Sequence, residues 1–103
     1  MESKITPWNS QTLPVEEELR SQLAKQDLKV YHWSSPAEAV FFSHTRGYHK
    51  ILYVVSGNIK FDFPSRHKTI SLHPGDRLDL PGGIRHSAVA GTEGVTCLEA
   101  HIY

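Results

Sequence analysis

From Leu28 to the last residue, apolar side chains tend to alternate with polar ones, and turn-forming residues recur every six to ten positions. A period of two belongs to strands with one buried and one wet face, and short strands spaced by regular turns build an antiparallel sandwich or barrel. The runs 28–33, 39–44, 50–56, 58–63, 67–72, 77–80, 86–90 and 95–102 are the expected strands. Between them lie Ser35-Pro36, Gly47, Gly57-Asn58, Pro64-Ser65, Pro74-Gly75-Asp76, Pro81-Gly82-Gly83 and the glycine-bounded run 91–94. Gly57-Asn58, set between two apolar runs, predicts a tight hairpin, because the turn that matches strand twist needs positive φ. Eight short strands without an internal repeat predict an all-β chain, a small jelly-roll barrel of two antiparallel sheets.

Ahead of the strands, residues 1–12 read as a polar arm that is ordered where it docks, with Trp8 as its anchor. A helix follows from Thr12-Leu13-Pro14. Glu16, Glu17 and Glu18 suit its positive end, Lys25 suits the other, and Val15, Leu19 and Leu23 form an apolar stripe that packs on the outside of the barrel. With 103 residues there is material for one core, so the arm and helix at 1–27 belong to the same domain as the barrel at 28–103. Eleven basic residues balance eleven acidic ones with no basic cluster, which argues against nucleic acid and anionic membrane as partners. The first residues lack the apolar run of a signal peptide, and no apolar stretch reaches about 18 residues, so the expectation is a soluble, cytoplasmic protein. A barrel this small gains buried area by pairing, and an arm that crosses to a second copy predicts a homodimer. The single cysteine, Cys97, excludes an internal disulfide and sits in a strand-like segment as a buried small hydrophobe.

Two segments carry the chemistry. Gly75, Pro81, Gly83 and His86 stand with five, one and two residues between them, and the run from His44 through Arg46, His49 and Lys50 ends on Gly57. Together they resemble the paired motifs of the cupin family. That resemblance spans roughly residues 40 to 102 and implies a barrel of two packed sheets, often dimeric, with the site in its mouth. In the family a metal is held by two His and one Glu of the first motif and by the His of the second. Here His44 and His86 occupy two of those positions, while Arg46 stands at the second His and Lys50 at the Glu. An Arg46 side chain aimed at a dication would cost about 3 kcal/mol per unit charge at about 5 Å and an effective dielectric near 20. His49 lies beside the Glu position, and Gly47 lets the loop turn a neighbouring side chain inward. His44, His49 and His86 then make a three-His site for zinc, iron, nickel or manganese, with Arg46 folded outward. Regular strand alternation instead puts His49 opposite Lys50 and leaves these histidines as ordinary hydrogen-bonded residues.

Arg46 and Lys50 also read as an anion clamp at the rim of a half-apolar cavity, with Tyr48 or Tyr53 stacking or donating from the side. Glu99 and His101 share a face of the last strand with Cys97, so they are candidates for ligand contact or general acid/base work. Asp76, Arg77 and Asp79 shape the turn after Pro74 and pair locally. A phosphate-cradling glycine loop, a Cys-x-x-Cys pair and a Gly-x-Ser-x-Gly elbow are absent, which argues against nucleophilic catalysis. The resemblance implies activities as varied as dioxygenase, isomerase, epimerase, decarboxylase and non-catalytic sugar-binding domain, so whether the chain is an enzyme stays open. The leading expectation is a barrel that binds a small anionic or polyhydroxylated metabolite, its reaction left open, with oxygen-dependent or Lewis-acid chemistry if a divalent metal sits in its mouth. The alternative is a metal-free binding or sensing module for an anionic or sugar-like metabolite. A third is an interaction protein whose barrel interior is packed solid.

Overall fold

The computed structural model describes residues 4–8, 10, 12–44 and 47–103, with Phe42, Ser43 and His44 described by their backbone alone. The elements are β1 (Lys4–Thr6), α1 (Glu16–Ala24), β2 (Tyr31–Ser35), β3 (Val40–His44), β4 (His49–Phe63), a 3₁₀ turn (Pro64–Arg66), β5 (Lys68–Leu72), β6 (Arg77–Leu80) and β7 (His86–Ile102). Two long strands organise the rest. β4 and β7 pair antiparallel from His49↔Ile102 to Asp62↔Ser87, with register shifts between Val54 and Ser56 and between Gly57 and Ile59. One layer has the order β1-β6-β4-β7-β2. In the other, the second half of β4 pairs β5, and the first half of β7 pairs β3. These are the two antiparallel sheets of a jelly-roll barrel, joined because β4 and β7 run through both.

This is a correction to the expected strand list. The runs 50–56 and 58–63 are one strand, and so are 86–90 and 95–102. Gly57 does have positive φ (74°), but it pairs with Val95, and Gly94 of β7 has φ 77°. Positive φ at these points makes bulges that bend both strands from one layer into the other, and the chain does not reverse. A Cβ on Gly57 would lie 2.1 Å from the Gly94 carbonyl oxygen, so the bend also depends on close backbone approach.

Alternation along the bent strands fills the interior. Leu52, Val54, Ile59, Phe61 and Phe63 of β4 point inward and meet Leu72, Leu78, Leu80, Val95 and Cys97. The outward residues Ile51, Tyr53, Leu98 and Ala100 are covered by Leu19 and Leu23 of α1, which places the helix outside the barrel as its stripe predicts. Val15 is the N-cap and is 53% exposed, so the stripe is one residue shorter than expected. The arm is anchored by Trp8, whose backbone N–H donates to Asp76 Oδ1 at 2.9 Å. Lys4–Thr6 adds an edge strand to β6 that the sequence pattern did not announce. Among the described residues, no helix is long and apolar enough to cross a membrane.

Candidate functional site

Strand register decides which polar groups enter the barrel. In the β4–β7 pair, Lys50 faces His101 and Leu52 faces Glu99, so Lys50, Glu99 and His101 share the inner side near one end. Lys50 and Glu99 border a cavity of about 280 Å³ whose apolar wall is Trp33, Phe41, Ile59, Phe61 and Ala88, and whose third polar group is His86.

Glu99 is the hub of the polar side. Trp33 Nε1–H donates to its Oε1 at 3.1 Å, His101 Nε2–H donates to its Oε2 at 2.5 Å, and Lys50 Nζ lies 4.0 Å from Oε1. The Lys50 and Glu99 side chains are 12% and 16% exposed, so this ion pair is screened less than a surface pair. With its proton on Nε2, His101 uses Nδ1 as an acceptor for the Tyr103 hydroxyl at 3.4 Å. The His101 ring packs against Tyr48 at 4.4 Å and Tyr31 at 5.3 Å. On the β3 side of the cavity, His86 Nδ1–H donates to the Ile84 carbonyl at 2.9 Å. A carbonyl only accepts, so in the neutral ring the lone pair is on Nε2.

The opposite face of β4 holds a separate cluster. His49 Nε2 lies 3.6 Å from Asp79 Oδ1, and Arg77 grips the Asp79 carboxylate with both arms at 2.9 and 3.0 Å. Arg77 also donates to the Tyr53 hydroxyl at 3.3 Å. Burial pushes the Asp79 carboxyl up, but the hydrogen bonds and charge of Arg77, aided by His49, outweigh it and hold Asp79 below the ordinary carboxylate range. The local pairing expected after Pro74 is therefore present.

Of the residues singled out in the sequence, the structure brings together Lys50, Glu99 and His86, with His101 and Tyr48 at their edge. It does not bring His49 or Tyr53 to them. The physical reason is the strand's own alternation: consecutive residues 49 and 50 must face opposite sides. The His44 backbone pairs with that of His86, its side chain lies outside the described residues, and so does Arg46. Trp33, Phe41 and Phe61 were not named as site residues. Phe61 was marked inward by the alternation of 59–63. For Trp33 and Phe41 no local signal exists, since only their register on β7 turns them to the cavity.

The metal centre implied by the cupin resemblance can be tested against these groups. Among the described residues, no three His, Cys, Asp or Glu side chains gather as a metal ion requires. The ammonium of Lys50 stands beside Glu99, where a dication would meet like charge. The described residues do not fit such a centre.

Cys97 is fully buried below this site. Burial, and next the charge of Glu99, push its thiol up to about 12, against a smaller opposite pull from Lys50. The folded chain therefore holds this proton more tightly than the unfolded chain does. The associated stability is complete below about pH 9 and is lost as pH rises from there through the folded value. In a thiol titration with a disulfide reagent at pH 8, no reaction is expected until denaturant is added; rapid native labelling would show that Cys97 reaches solvent.

No protein-family model and no curated protein matches this sequence. Solved structures do match in fold. A DUF861 family protein from Thermotoga maritima is similar at a TM-score of 0.64 and 18% identity, covering 98% of this chain and 100% of that one. A cupin-2 domain containing protein from Shewanella frigidimarina is similar at 0.61 and 19%, covering 74% and 72%. The DMSP lyase DddQ from Ruegeria pomeroyi is similar at 0.66 and 22%, covering 74% of this chain and 38% of that one. The bent strands β4 and β7, the two layers they share and these likenesses lead to one conclusion: this chain is a small single barrel of the cupin fold with one helix outside.

Proposed function

We propose that the barrel is a metal-free binding site for one small carboxylate-bearing metabolite, held by its carboxylate on Lys50. The observation that carries this reading is a shielded ammonium in the wall of an otherwise largely apolar cavity. An ammonium carries three N–H donors, and the Glu99 carboxylate stands 4.0 Å from this one. A ligand carboxylate can share the ammonium with Glu99. Arg46, two residues beyond the end of β3, is the second cation assigned to the ligand. His86 stands in the same wall, its ring held by the Nδ1–H bond to the Ile84 carbonyl.

Thermal shift with a panel of small carboxylates and neutral sugars tests the reading. A ligand at about ten times its Kd stabilises the fold by about 1.4 kcal/mol. In a domain near 100 residues that raises Tm by about 6–11 °C. The rise is expected with carboxylates and not with neutral sugars, and Lys50→Met, which keeps the aliphatic stem, is expected to lose it while remaining folded by circular dichroism. An equal response in Lys50→Met, or no response to any carboxylate in the parent, overturns the proposal.

A further inference from the structure

The cluster of His49, Arg77 and Asp79 lies on the outer side of β4, away from the barrel cavity. Lys4 of β1 pairs with Asp79 of β6 and Thr6 with Arg77, while Tyr53 of β4 pairs with Arg77 from the other side. Directly paired residues of an antiparallel ladder present their side chains on one face. These five side chains therefore converge, and with His49 they line a cavity of about 470 Å³, a volume in the range of small-molecule sites.

Charge and donors decide what this cavity takes. Among the described residues, Asp79 is the one acidic group lining it. Its carboxylate is already gripped by both arms of Arg77, with His49 Nε2 3.6 Å from Oδ1. Arg77 and Asp79 cancel, which leaves the Lys4 ammonium as net positive charge. Three of the five N–H groups of Arg77 go to Asp79 and Tyr53, so among the described residues one on Nη1 and one on Nη2 are left for a ligand. The Tyr53 hydroxyl accepts from Arg77 and so has its own proton to donate. Thr6 adds a second hydroxyl. Two guanidinium N–H groups, an ammonium and two hydroxyls are more donors than the two oxygens of a carboxylate can engage. A phosphate monoester brings three terminal oxygens and up to two negative charges, and a guanidinium edge matches two of those oxygens at once. Inorganic phosphate alone leaves much of the volume empty.

We propose that this outer cavity binds a small phosphate monoester, its phosphate held by Arg77, Lys4, Tyr53 and Thr6 and its organic part filling the remaining space. The site shares no lining residue with the barrel cavity, so it stands or falls apart from the carboxylate reading above.

Calorimetric titration of the whole chain at fixed ionic strength tests it with glycerol 3-phosphate, inorganic phosphate and glycerol. Glycerol 3-phosphate is expected to bind at least about fivefold more tightly than inorganic phosphate, and glycerol to give no heat. Lys4→Ala and Tyr53→Phe are each expected to weaken glycerol 3-phosphate about tenfold, as loss of one hydrogen bond to a charged group does. Both leave the Arg77–Asp79 pair in place, and Lys4 is exposed, so Lys4→Ala decides if Tyr53→Phe misfolds. Lys50→Met is expected to bind glycerol 3-phosphate as the parent does. Unchanged binding in either folded variant of Lys4 or Tyr53 overturns the proposal, and so does binding lost in Lys50→Met, which would seat the phosphate in the barrel. Inorganic phosphate binding as tightly as the ester overturns the monoester, glycerol binding as tightly overturns the anion, and silence from both phosphates overturns the site. The carboxylate reading fails separately, in the thermal shift.

Discussion

Gly57→Ala is expected to cost about 2–5 kcal/mol of unfolding free energy, Gly83→Ala about 1–2 kcal/mol and Gly47→Ala close to nothing, as measured by urea denaturation. The three glycines separate two effects. Gly83 has φ 84° with nothing within 4 Å of an added Cβ, so only the conformational cost of a left-handed L-residue applies, about 1–2 kcal/mol. Gly57 carries that cost at φ 74°, and an added Cβ also meets the Gly94 carbonyl oxygen at 2.1 Å and Val95 Cα at 3.0 Å. Those are backbone atoms of the paired strand, which cannot rotate away, and forced overpacking of this kind adds about 1–3 kcal/mol. Gly47 has neither positive φ nor a neighbour within 4 Å, and a methyl there reduces the freedom of the unfolded chain. In Tm, Gly57→Ala should fall by about 10 °C or more, at about 4–8 °C per kcal/mol. Equal costs at positions 57 and 83 would mean that β4 and β7 do not approach as closely as described.

Gly57 also shows what could be read from the sequence and what could not. Its positive φ was legible from the Gly-Asn pair, but the same backbone angle serves a hairpin and a bulge. Only the pairing of Gly57 with Val95 decides between them, and that contact is nearly forty residues away in the chain. The inward set Ile59, Phe61 and Phe63, and the shared face of Cys97, Glu99 and His101, followed from period two alone, and the structure has them so. The opposition of His49 and Lys50 followed from the same rule. The aromatic wall did not, because Trp33 and Phe41 sit on short edge strands whose inner face is set by their register on β7. The hub role of Glu99 was hidden for the same reason: its partners Trp33 and Lys50 come from strands separated by up to 66 positions. Local patterning thus showed which residues can face inward, and long-range register chose which of them meet.

The charge of Lys50 is what sets this cavity apart from one built for a metal, and reversing it should change stability, pH response and metal response together. Lys50→Glu is expected to be less stable than the parent by about 2–4 kcal/mol at pH 7. An ion pair at about 4 Å is worth about 4 kcal/mol at an effective dielectric near 20, and the small exposure of both side chains lowers the figure somewhat. Two carboxylates would then share the cavity, and each disfavours the charged form of the other, which raises a folded-state pKa above its unfolded value near 4.3. A raised value of this kind leaves stability complete below the unfolded pKa and removes it as pH climbs through the folded one. Acidification from pH 7 toward pH 5 should therefore recover stability in Lys50→Glu, a gain the parent does not share at this position. The same substitution puts a second carboxylate near Glu99 and His86, the oxygen and nitrogen donors that zinc takes. Zinc at about 100 times its Kd would stabilise a folded site by about 2.7 kcal/mol. Differential scanning fluorimetry with zinc and then with chelator is expected to raise and restore the Tm of Lys50→Glu and to leave the parent unmoved. A zinc shift of equal size in the parent would overturn the metal-free reading, because the donors would then converge despite the ammonium. Lys50→Glu matching the parent's stability at pH 7 would mean that residue 50 and Glu99 do not share the cavity.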